Sequence, residues 1–350
     1  MAAATACITG VGAVTPIGLG AWASAAAARA GVCGFREHPY MIDSAGEPIR
    51  VARVPWLGVD VQGVERFAQM LLPAIDEALK SASDLTRVAL AIGLPPPRPG
   101  LPGELAAVLK RRVVERFDGR ITRILTFEAG HAAGLLALDA ALKGLTNGSI
   151  QACIVAGVDS YLEPETLEWV EECDQLHGGG PLNNAWGFIP GESAGALLVE
   201  SVVAAQRGER VPLADVIGVG IGKETKLIKT NRVCIGEGLT QAFRTALGRL
   251  RSEERIDNVF CDLNGEAYRA DEYGFTCLRT KDRFREATDF VAPADCWGDV
   301  GAAGGALHAL LAIAACRKGY AKGPLSMIWA SSEGGDRAAG VLAAPVAPRE

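Results

Sequence analysis

The chain has 350 residues, 49% of them hydrophobic, and a formal net charge of −6 at pH 7. At this length, that apolar content is enough for a large buried core, in one domain or in two fused units. The Lys and Arg residues are scattered rather than clustered, so no basic surface is predicted and we expect no nucleic-acid partner.

The N-terminus and the cysteines indicate the cellular compartment. The first residues lack the basic stretch and the uninterrupted apolar run of an export signal, and no later segment has about 18 consecutive strongly apolar residues. The nine cysteines form no C-x-x-C pair and mostly lie in apolar runs such as 151–155. Such cysteines are typical of reduced packing residues. The sequence therefore predicts a cytoplasmic protein without membrane insertion.

Short apolar runs alternate with helical stretches, which is the pattern of an α/β protein with a largely buried sheet. In chain order we predict a strand at 7–12, a helix at 21–30, a strand at 86–94, a helix at 132–145, and strands at 151–157 and 195–200. The four prolines of 94–100 predict a rigid loop, because proline continues neither a helix nor a sheet ladder.

The alternation of strands and helices restarts near residue 206, which predicts two similar halves. Their predicted bounds are residues 1–205 and 206–350, and we expect one compact unit. The helix at 132–145 has a counterpart at 307–315, and each follows a turn that contains glycine. Helices that start at such turns would point their unpaired N–H groups at a common centre.

Two segments resemble β-ketoacyl-acyl carrier protein synthases. Residues 8–18, ITGVGAVTPIG, resemble the opening strand and turn of that family, and residues 185–200, AWGFIPGESAGALLVE, resemble its G-F-x-P-G-E-G-A-G segment. Weaker matches lie at 155–159, 299–304 and 334–335. The resemblance implies the thiolase fold, in which two fused similar halves form five α-β-α-β-α layers, and usually a dimer built around strands beside the active site.

The resemblance also identifies the condensing position. An active ketosynthase places a cysteine at the start of a buried helix, where the helix N-terminus favours the thiolate. In this sequence, His131 falls at that position. The two family histidines correspond to Asn264 and Asp299, and the family lysine to Ala294. Glu333 replaces the phenylalanine that gates access to the cysteine. Departures at four separate motifs predict that conventional condensation is lost.

Other residues near these motifs are pocket candidates. Phe188 belongs to the G-F-x-P segment, and Glu128, three residues before His131, is expected to accept hydrogen bonds near the same turn. Cys296 and Cys261 flank the positions of the lost histidines, but neither has a histidine nearby in sequence to activate it, so packing is favoured for both.

No metal or cofactor is predicted. The residue types of Glu128, His131 and Asp299 can bind zinc, but their spacing matches no recognised motif. The glycine-rich turns at 178–180 and 301–305 match neither a dinucleotide fingerprint nor a P-loop. They are better explained by tight packing and chain reversal.

The sequence leaves two functional hypotheses. The first is a non-catalytic subunit or adaptor. As a subunit, it would pair with itself or with an active ketosynthase, as chain-length factors do, and could contact acyl carrier protein. As an adaptor, it would be an accessory protein to a secreted effector. The second is a remodelled acyltransferase or thioesterase that uses His131 on acyl carrier protein or CoA thioesters. An open tunnel to His131 would favour the enzyme, whereas side chains filling that space would favour the subunit.

Overall fold

The computed structural model describes residues 4–228, 230 and 232–347. Residues 1–3, the start of the segment considered above for an export signal, lie outside this range. The strands are β1 (Ala6–Thr15), β2 (Gly18–Leu19), β3 (Phe35–Ile42), β4 (Pro48–Ala52), β5 (Val88–Leu94), β6 (Ile121–Glu128), β7 (Ala152–Ser160), β8 (Glu192–Ser201), β9 (Ala214–Lys223), β10 (Asn258–Cys261), β11 (Phe290–Val291), β12 (Leu325–Ser331) and β13 (Asp336–Ala343).

The helices alternate with these strands along the chain. They are α1 (Ala21–Arg29), α2 (Gly63–Ala78), α3 (Leu105–Phe117), α4 (Ala133–Thr146), α5 (Pro164–Glu172), α6 (Val202–Arg207), α7 (Glu237–Leu247), α8 (Ala267–Thr280), α9 (Ala294–Trp297) and α10 (Gly304–Arg317). The strands and helices predicted from the sequence are confirmed to within a few residues at their ends. Among the described residues, no helix combines the length and the apolar character needed to cross a bilayer.

Most strands join one mixed sheet in the order β11-β10-β12-β13-β9-β1-β8-β7-β5-β6. The two halves of this order repeat one pattern. In the first half, β1 pairs antiparallel with β8 and β8 pairs antiparallel with β7, and then β7, β5 and β6 run parallel. In the second half, β9, β13, β12, β10 and β11 take the same places with the same directions. β1 and β9 meet at the centre through Ala6–Ile8 and Ala214–Val216. The predicted duplication is visible in this topology, whereas the boundary near residue 206 stays a prediction.

Three buried clusters define the layers. In the middle, α4 and α10 pack against strands of both halves, with Leu138 and Leu310 in one cluster. α2 and α3 cover the outer face of the first half around Phe67, and α7 and α8 cover that of the second half around Phe243. α10 is buried from Gly304 through Cys316, as expected for a helix that is apolar on every side. The five α-β-α-β-α layers predicted from the sequence are confirmed.

Glycines allow the two middle helices to begin close together. One-turn 3-10 helices, Gly130–Ala132 and Gly301–Ala303, precede α4 and α10, and each begins with a glycine of positive φ, +71° and +46°. β7 packs directly on the second turn, because a Cβ atom added at Gly157 would lie 2.2 Å from the Ala302 carbonyl oxygen. Only glycine permits this approach of backbone to backbone.

The variant Gly157→Ala should therefore destabilise the protein by about 3 kcal/mol, because the new methyl group must displace the turn before α10. Gly274→Ala is the matched control, since a Cβ atom at Gly274 in α8 meets no atom within 4 Å. Alanine there should be neutral or stabilise by up to about 1 kcal/mol. Thermal unfolding of the parent and both variants measures the difference. Equal melting temperatures for the two variants would contradict the packing described.

Candidate functional site

The candidate site lies where four chain segments meet at the carboxyl ends of strands. The turn Gly130–Ala132 follows β6, and the loop 262–266 follows β10. The turn 331–336 follows β12, and Asp299 precedes α10. A hydrogen bond from the Ala132 N–H to Ser332 Oγ, 2.8 Å long, ties the first turn to the third. The layered fold thus brings together residues that are far apart in the sequence.

His131 and Asp299 form the centre of this site. His131 Nε2 lies 2.9 Å from both carboxylate oxygens of Asp299. Asn264 Nδ2 donates to Asp299 Oδ2 at 2.5 Å, and the Gly301 N–H donates to Oδ1 at 2.8 Å. His131 is 6% exposed and Asp299 is 4% exposed. The three residues predicted to occupy the family's Cys, His and His positions are therefore in direct contact, although their correspondence to those positions stays a prediction.

Arg269, in the first turn of α8, completes the cluster and is fully buried. Its Nη2 lies 3.2 Å from His131 Nε2 and 3.5 Å from Nδ1. Its Nη1 donates to Asp262 at 2.9 Å, and its Nε donates to Glu266 at 2.9 Å. Sequence reasoning missed Arg269, Asp262 and Glu266 as a group, because none of them stands at a position that the family motifs single out.

Electrostatics favour the ionised form of Asp299. Burial alone would raise its pKa, but His131, Arg269 and the Asn264 amide outweigh burial and hold the pKa well below its usual range. For His131, burial opposes the charged form, but the Asp299 carboxylate outweighs it and raises the pKa of the imidazole. Asp262 differs, because burial outweighs Arg269 and raises its pKa. The contact between His131 and Asp299 thus shifts both pKa values in the direction that favours the charged form of each group.

Side chains fill the space around this pair. The adjacent cavity has a volume of about 20 Å³, which is room for one water molecule. Ligand pockets usually measure about 300 to 1,000 Å³. Two buried atoms that line the cavity, Asp262 Oδ1 and His308 Nδ1, have no hydrogen-bond partner among the described residues. A cavity of this volume can hold one water molecule, but an acyl chain would not fit.

Two further predicted residues border the cluster. Glu333 accepts a hydrogen bond of 2.6 Å from Gln175 Nε2, which also donates to Glu266 at 2.7 Å. Phe188 is buried and packs edge-to-face on Tyr161, with 5.3 Å between the ring centroids. Its carbonyl oxygen accepts from the His177 N–H. Gln175 therefore links the Glu333 turn to the charged cluster.

Glu128 and Cys296, two other predicted pocket residues, line cavities other than the small one beside His131. Glu128 ends β6 with its side chain exposed, and it lines a separate cavity beside the proline loop. The chain reverses at Gly130 before it reaches His131, so the two side chains do not share an environment. Cys296 Sγ lies 3.8 Å from the Ala28 carbonyl oxygen and lines another cavity.

Cys261 is the one cysteine among the described residues that lines the small cavity beside His131. Burial raises the pKa of its thiol well above the ordinary value. A nucleophilic cysteine needs a lowered pKa, because the thiolate is the reactive form. The raised pKa thus favours packing over nucleophilic chemistry for Cys261.

A metal site also lacks support from the arrangement of donor groups. Glu128 does not join His131 and Asp299, so the site considered from the sequence does not form. The described residues contain one other compact donor group, Glu224, Cys234 and Glu272. Arg337 Nε donates to Glu272 at 2.6 Å, and Glu224 accepts three backbone N–H groups. Both carboxylates thus have protein partners already.

Solved ketosynthase structures are similar to this fold. A structure titled as a type II polyketide synthase acyl-carrier protein in complex with its ketosynthase, AntDE:AntF, superposes with a TM-score of 0.80 at 14% identity, covering 97% of this chain and 99% of the other. A ketosynthase from module 6 of the bacillaene synthase of Bacillus subtilis 168 superposes with a TM-score of 0.77 at 15% identity, covering 98% of this chain and 72% of the other. The family model described as the beta-ketoacyl synthase N-terminal domain matches residues 119–205. The chain has the thiolase fold of these ketosynthases, and its residues 119–205 are similar in sequence to the beta-ketoacyl synthase N-terminal domain.

Two polyketide synthases match parts of this sequence, and a third solved structure is similar to its fold. Polyketide synthase PksL of Bacillus subtilis is 32% identical over 99 residues, which is 27% of this chain and 2% of PksL. Polyketide synthase ThaG of Burkholderia thailandensis is 27% identical over 147 residues, 40% of this chain and 3% of ThaG. The matched stretch is thus a small fraction of either relative. The ishigamide ketosynthase/chain length factor structure gives a TM-score of 0.69 at 21% identity, covering 97% of this chain and 99% of the other.

The His131–Asp299 pair predicts a pH-dependent contribution to stability. The pKa of His131 is raised in the folded state, and unfolded histidine has a pKa of about 6.5. The contribution is therefore fully present below about pH 6.5 and is lost as the pH rises through the folded pKa. The parent should exceed His131→Asn in melting temperature by more at pH 6 than at pH 9.

His177→Asn is the matched control for this measurement, because His177 lies outside the charged cluster and is partly exposed. Its melting temperature relative to the parent should change little between pH 6 and pH 9. If the difference in melting temperature between the parent and His131→Asn is the same at both pH values, or larger at pH 9, the imidazole is not held in its charged form.

Proposed function

We propose that this chain is a non-catalytic ketosynthase-like subunit that acts through protein–protein contacts. The observation that carries the proposal is the buried ionic cluster of His131, Asp299 and Arg269. It occupies the place where the family resemblance puts a thiolate and two histidines. His131 is paired with Asp299, and Arg269 is paired with Asp262 and Glu266, so no group of the cluster is free to attack or activate a thioester.

The individual groups support this conclusion. His131 Nε2 is engaged by Asp299, and Arg269 approaches both ring nitrogens, so no unhindered lone pair is available for acylation. Asn264 Nδ2 donates one hydrogen bond to Asp299 and another, of 3.0 Å, to Glu266. Both N–H groups of the Asn264 amide are therefore in use. The Asp299 carboxylate would also repel a developing oxyanion. Each step of condensation therefore lacks the side chain that would carry it out.

The edge strand β6 offers a contact surface. β6 is the last strand in the sheet order, and its outer edge pairs with no described strand. Leu125 in the middle of β6 is 39% exposed and borders a cavity of about 250 Å³ beside α4. An open edge with exposed apolar side chains can pair with a second sheet. We assign β6 as the contact with a second thiolase-fold subunit.

The compared structures suggest which class of protein the second subunit belongs to. The ishigamide structure is named as a ketosynthase with a chain length factor, and the AntDE:AntF structure as a ketosynthase with acyl-carrier protein. By analogy, we place this chain beside itself or a complete ketosynthase, with acyl carrier protein as a further partner, in polyketide or fatty acid synthesis. The nine free cysteines support a cytoplasmic location. Adaptor function toward a secreted effector is the other version of this proposal.

One observation favours an enzyme instead. The His131–Asp299 contact of 2.9 Å resembles the pair of residues that orients a general base in acyl transfer. Such a remodelled acyltransferase or thioesterase would need the cavity beside His131 to open for a thioester. The closed cluster is the reason that the subunit is the preferred proposal.

Turnover decides between the two functions. The parent and His131→Ala should be incubated with a panel of acyl carrier protein and CoA thioesters, with thiol release and intact protein mass as readouts. We expect neither release above background nor an acyl adduct for either protein. A complete ketosynthase in the same panel controls for the substrates. Turnover by the parent that disappears in His131→Ala would replace the subunit proposal with the enzyme.

The β6 contact is tested by Leu125→Lys, which places a charge on the proposed interface and should weaken association at least about tenfold. Leu278→Lys is the matched control, because Leu278 is an exposed leucine of α8 in the outer layer of the other half. Native mass measurements of each protein, alone and co-expressed with a complete ketosynthase from the same genome, give the stoichiometry. Equal association for both variants would reject β6 as the contact.

A further inference from the structure

A cavity with a volume of about 520 Å³ lies away from the His131 cluster. It sits between α1, the edge strand β11 and its neighbour β10, α9 and α10. Only Pro293 lines both this cavity and the small cavity beside His131. Its volume falls within the range of sites that hold small organic ligands. We refer to it as the lateral cavity.

The floor of the lateral cavity is apolar. Five nearly fully buried residues from β10, α10 and the segment after α10 form it: Val259, Phe260, Leu311, Ala315 and Ala321. Exposed Phe290 and Val291 of β11 add apolar surface at the rim. A ligand body that covers this surface gains free energy in proportion to the apolar area that it removes from water.

Among the described residues of the rim, Arg29 is a cation without a carboxylate partner. Its guanidinium lies over the Tyr320 ring, 4.6 Å from the ring centroid. Lys322, the other cation on the rim, is paired with Asp289. Asp295 is a second exposed carboxylate on the rim. The balance of charges favours an anion with a single negative charge, because the two carboxylates oppose a multiply charged group.

Hydrogen bonds hold the walls in place. The Asn258 amide donates to the Gly323 carbonyl oxygen and accepts from the Lys322 N–H, each at 2.9 Å. The Tyr320 N–H donates to the Ala315 carbonyl oxygen at 3.1 Å. These bonds fix the segment that carries Tyr320 against β10 and α10. In a preformed site of this kind, ligand binding does not incur the entropy cost of ordering the walls.

We propose that the lateral cavity binds a small amphipathic monocarboxylate, with its aliphatic or aromatic body on the apolar floor and its carboxylate on Arg29. The guanidinium presents N–H groups in a planar fork that matches a carboxylate. Contact with the Tyr320 ring restricts the position of the guanidinium, and both side chains line the cavity. The site is independent of the proposed subunit function, because it shares neither the charged cluster nor β6.

Calorimetric titration of the full chain with octanoate and with 3-phenylpropanoate tests the site, and octanol serves as the uncharged analogue. We expect saturable binding of at least one of the two acids. Arg29→Gln should weaken that binding about tenfold and leave octanol binding unchanged. Arg111→Gln, which removes a charge from an exposed arginine on α3, should bind like the parent. Absence of saturable binding to either acid, or equal affinity for parent and Arg29→Gln, would overturn the proposal.

A second variant tests the apolar part of the site. Val291→Glu places a charge at the exposed rim of the lateral cavity and should weaken both the acid and octanol at least about tenfold. Val203→Glu, at an exposed valine of α6, is the matched control and should leave both affinities unchanged. Because both valines are exposed, neither variant should impair folding. Equal weakening by the two variants, or none by Val291→Glu, would locate the binding elsewhere.

Discussion

A fully buried guanidinium must be neutralised, and the centre of this protein is organised around that requirement. Arg269 lies between Asp262 and Glu266 and also approaches His131, which is itself paired with Asp299. Removing one member of such a cluster leaves an uncompensated charge in a low-dielectric interior, which costs several kcal/mol. The residues of the predicted condensing position are therefore bound to one another as a unit. A single substitution of His131 by cysteine would not restore an open catalytic site.

The fold supplies the place where this cluster can form. The repeated strand order brings the beginnings of α4 and α10 together in the middle layer, and the glycine turns allow the backbones to approach closely. The N–H groups at the start of α10 face two carboxylates, since Gly301 donates to Asp299 and Ala302 donates to Asp159. Carboxylates are stabilised at a helix N-terminus. A geometry that can hold an oxyanion in an enzyme holds fixed carboxylates here.

With the centre closed, the surfaces that remain available are peripheral. The outer edge of β6 lies at one end of the sheet, and the lateral cavity lies beside β11 at the other. Each combines exposed apolar side chains with a few charged groups, which is typical of interaction sites. Both depend on the ends of the sheet rather than on the helix starts at its centre. The proposed contact surface and the proposed ligand site therefore lie at opposite ends of the sheet.

The sequence by itself determined the fold class and the composition of the predicted condensing position. Residues 8–18 and 185–200 carry their resemblance in short local patterns, and the absence of a cysteine at His131 can be read from one position. Only the tertiary structure decided that Arg269 joins His131, that the cavity is closed, and that Glu128 faces solvent. Arg269 and His131 are separated by 138 residues. Their contact depends on how the two halves pack, and the direction of Glu128 depends on the reversal at Gly130, which no local pattern specifies.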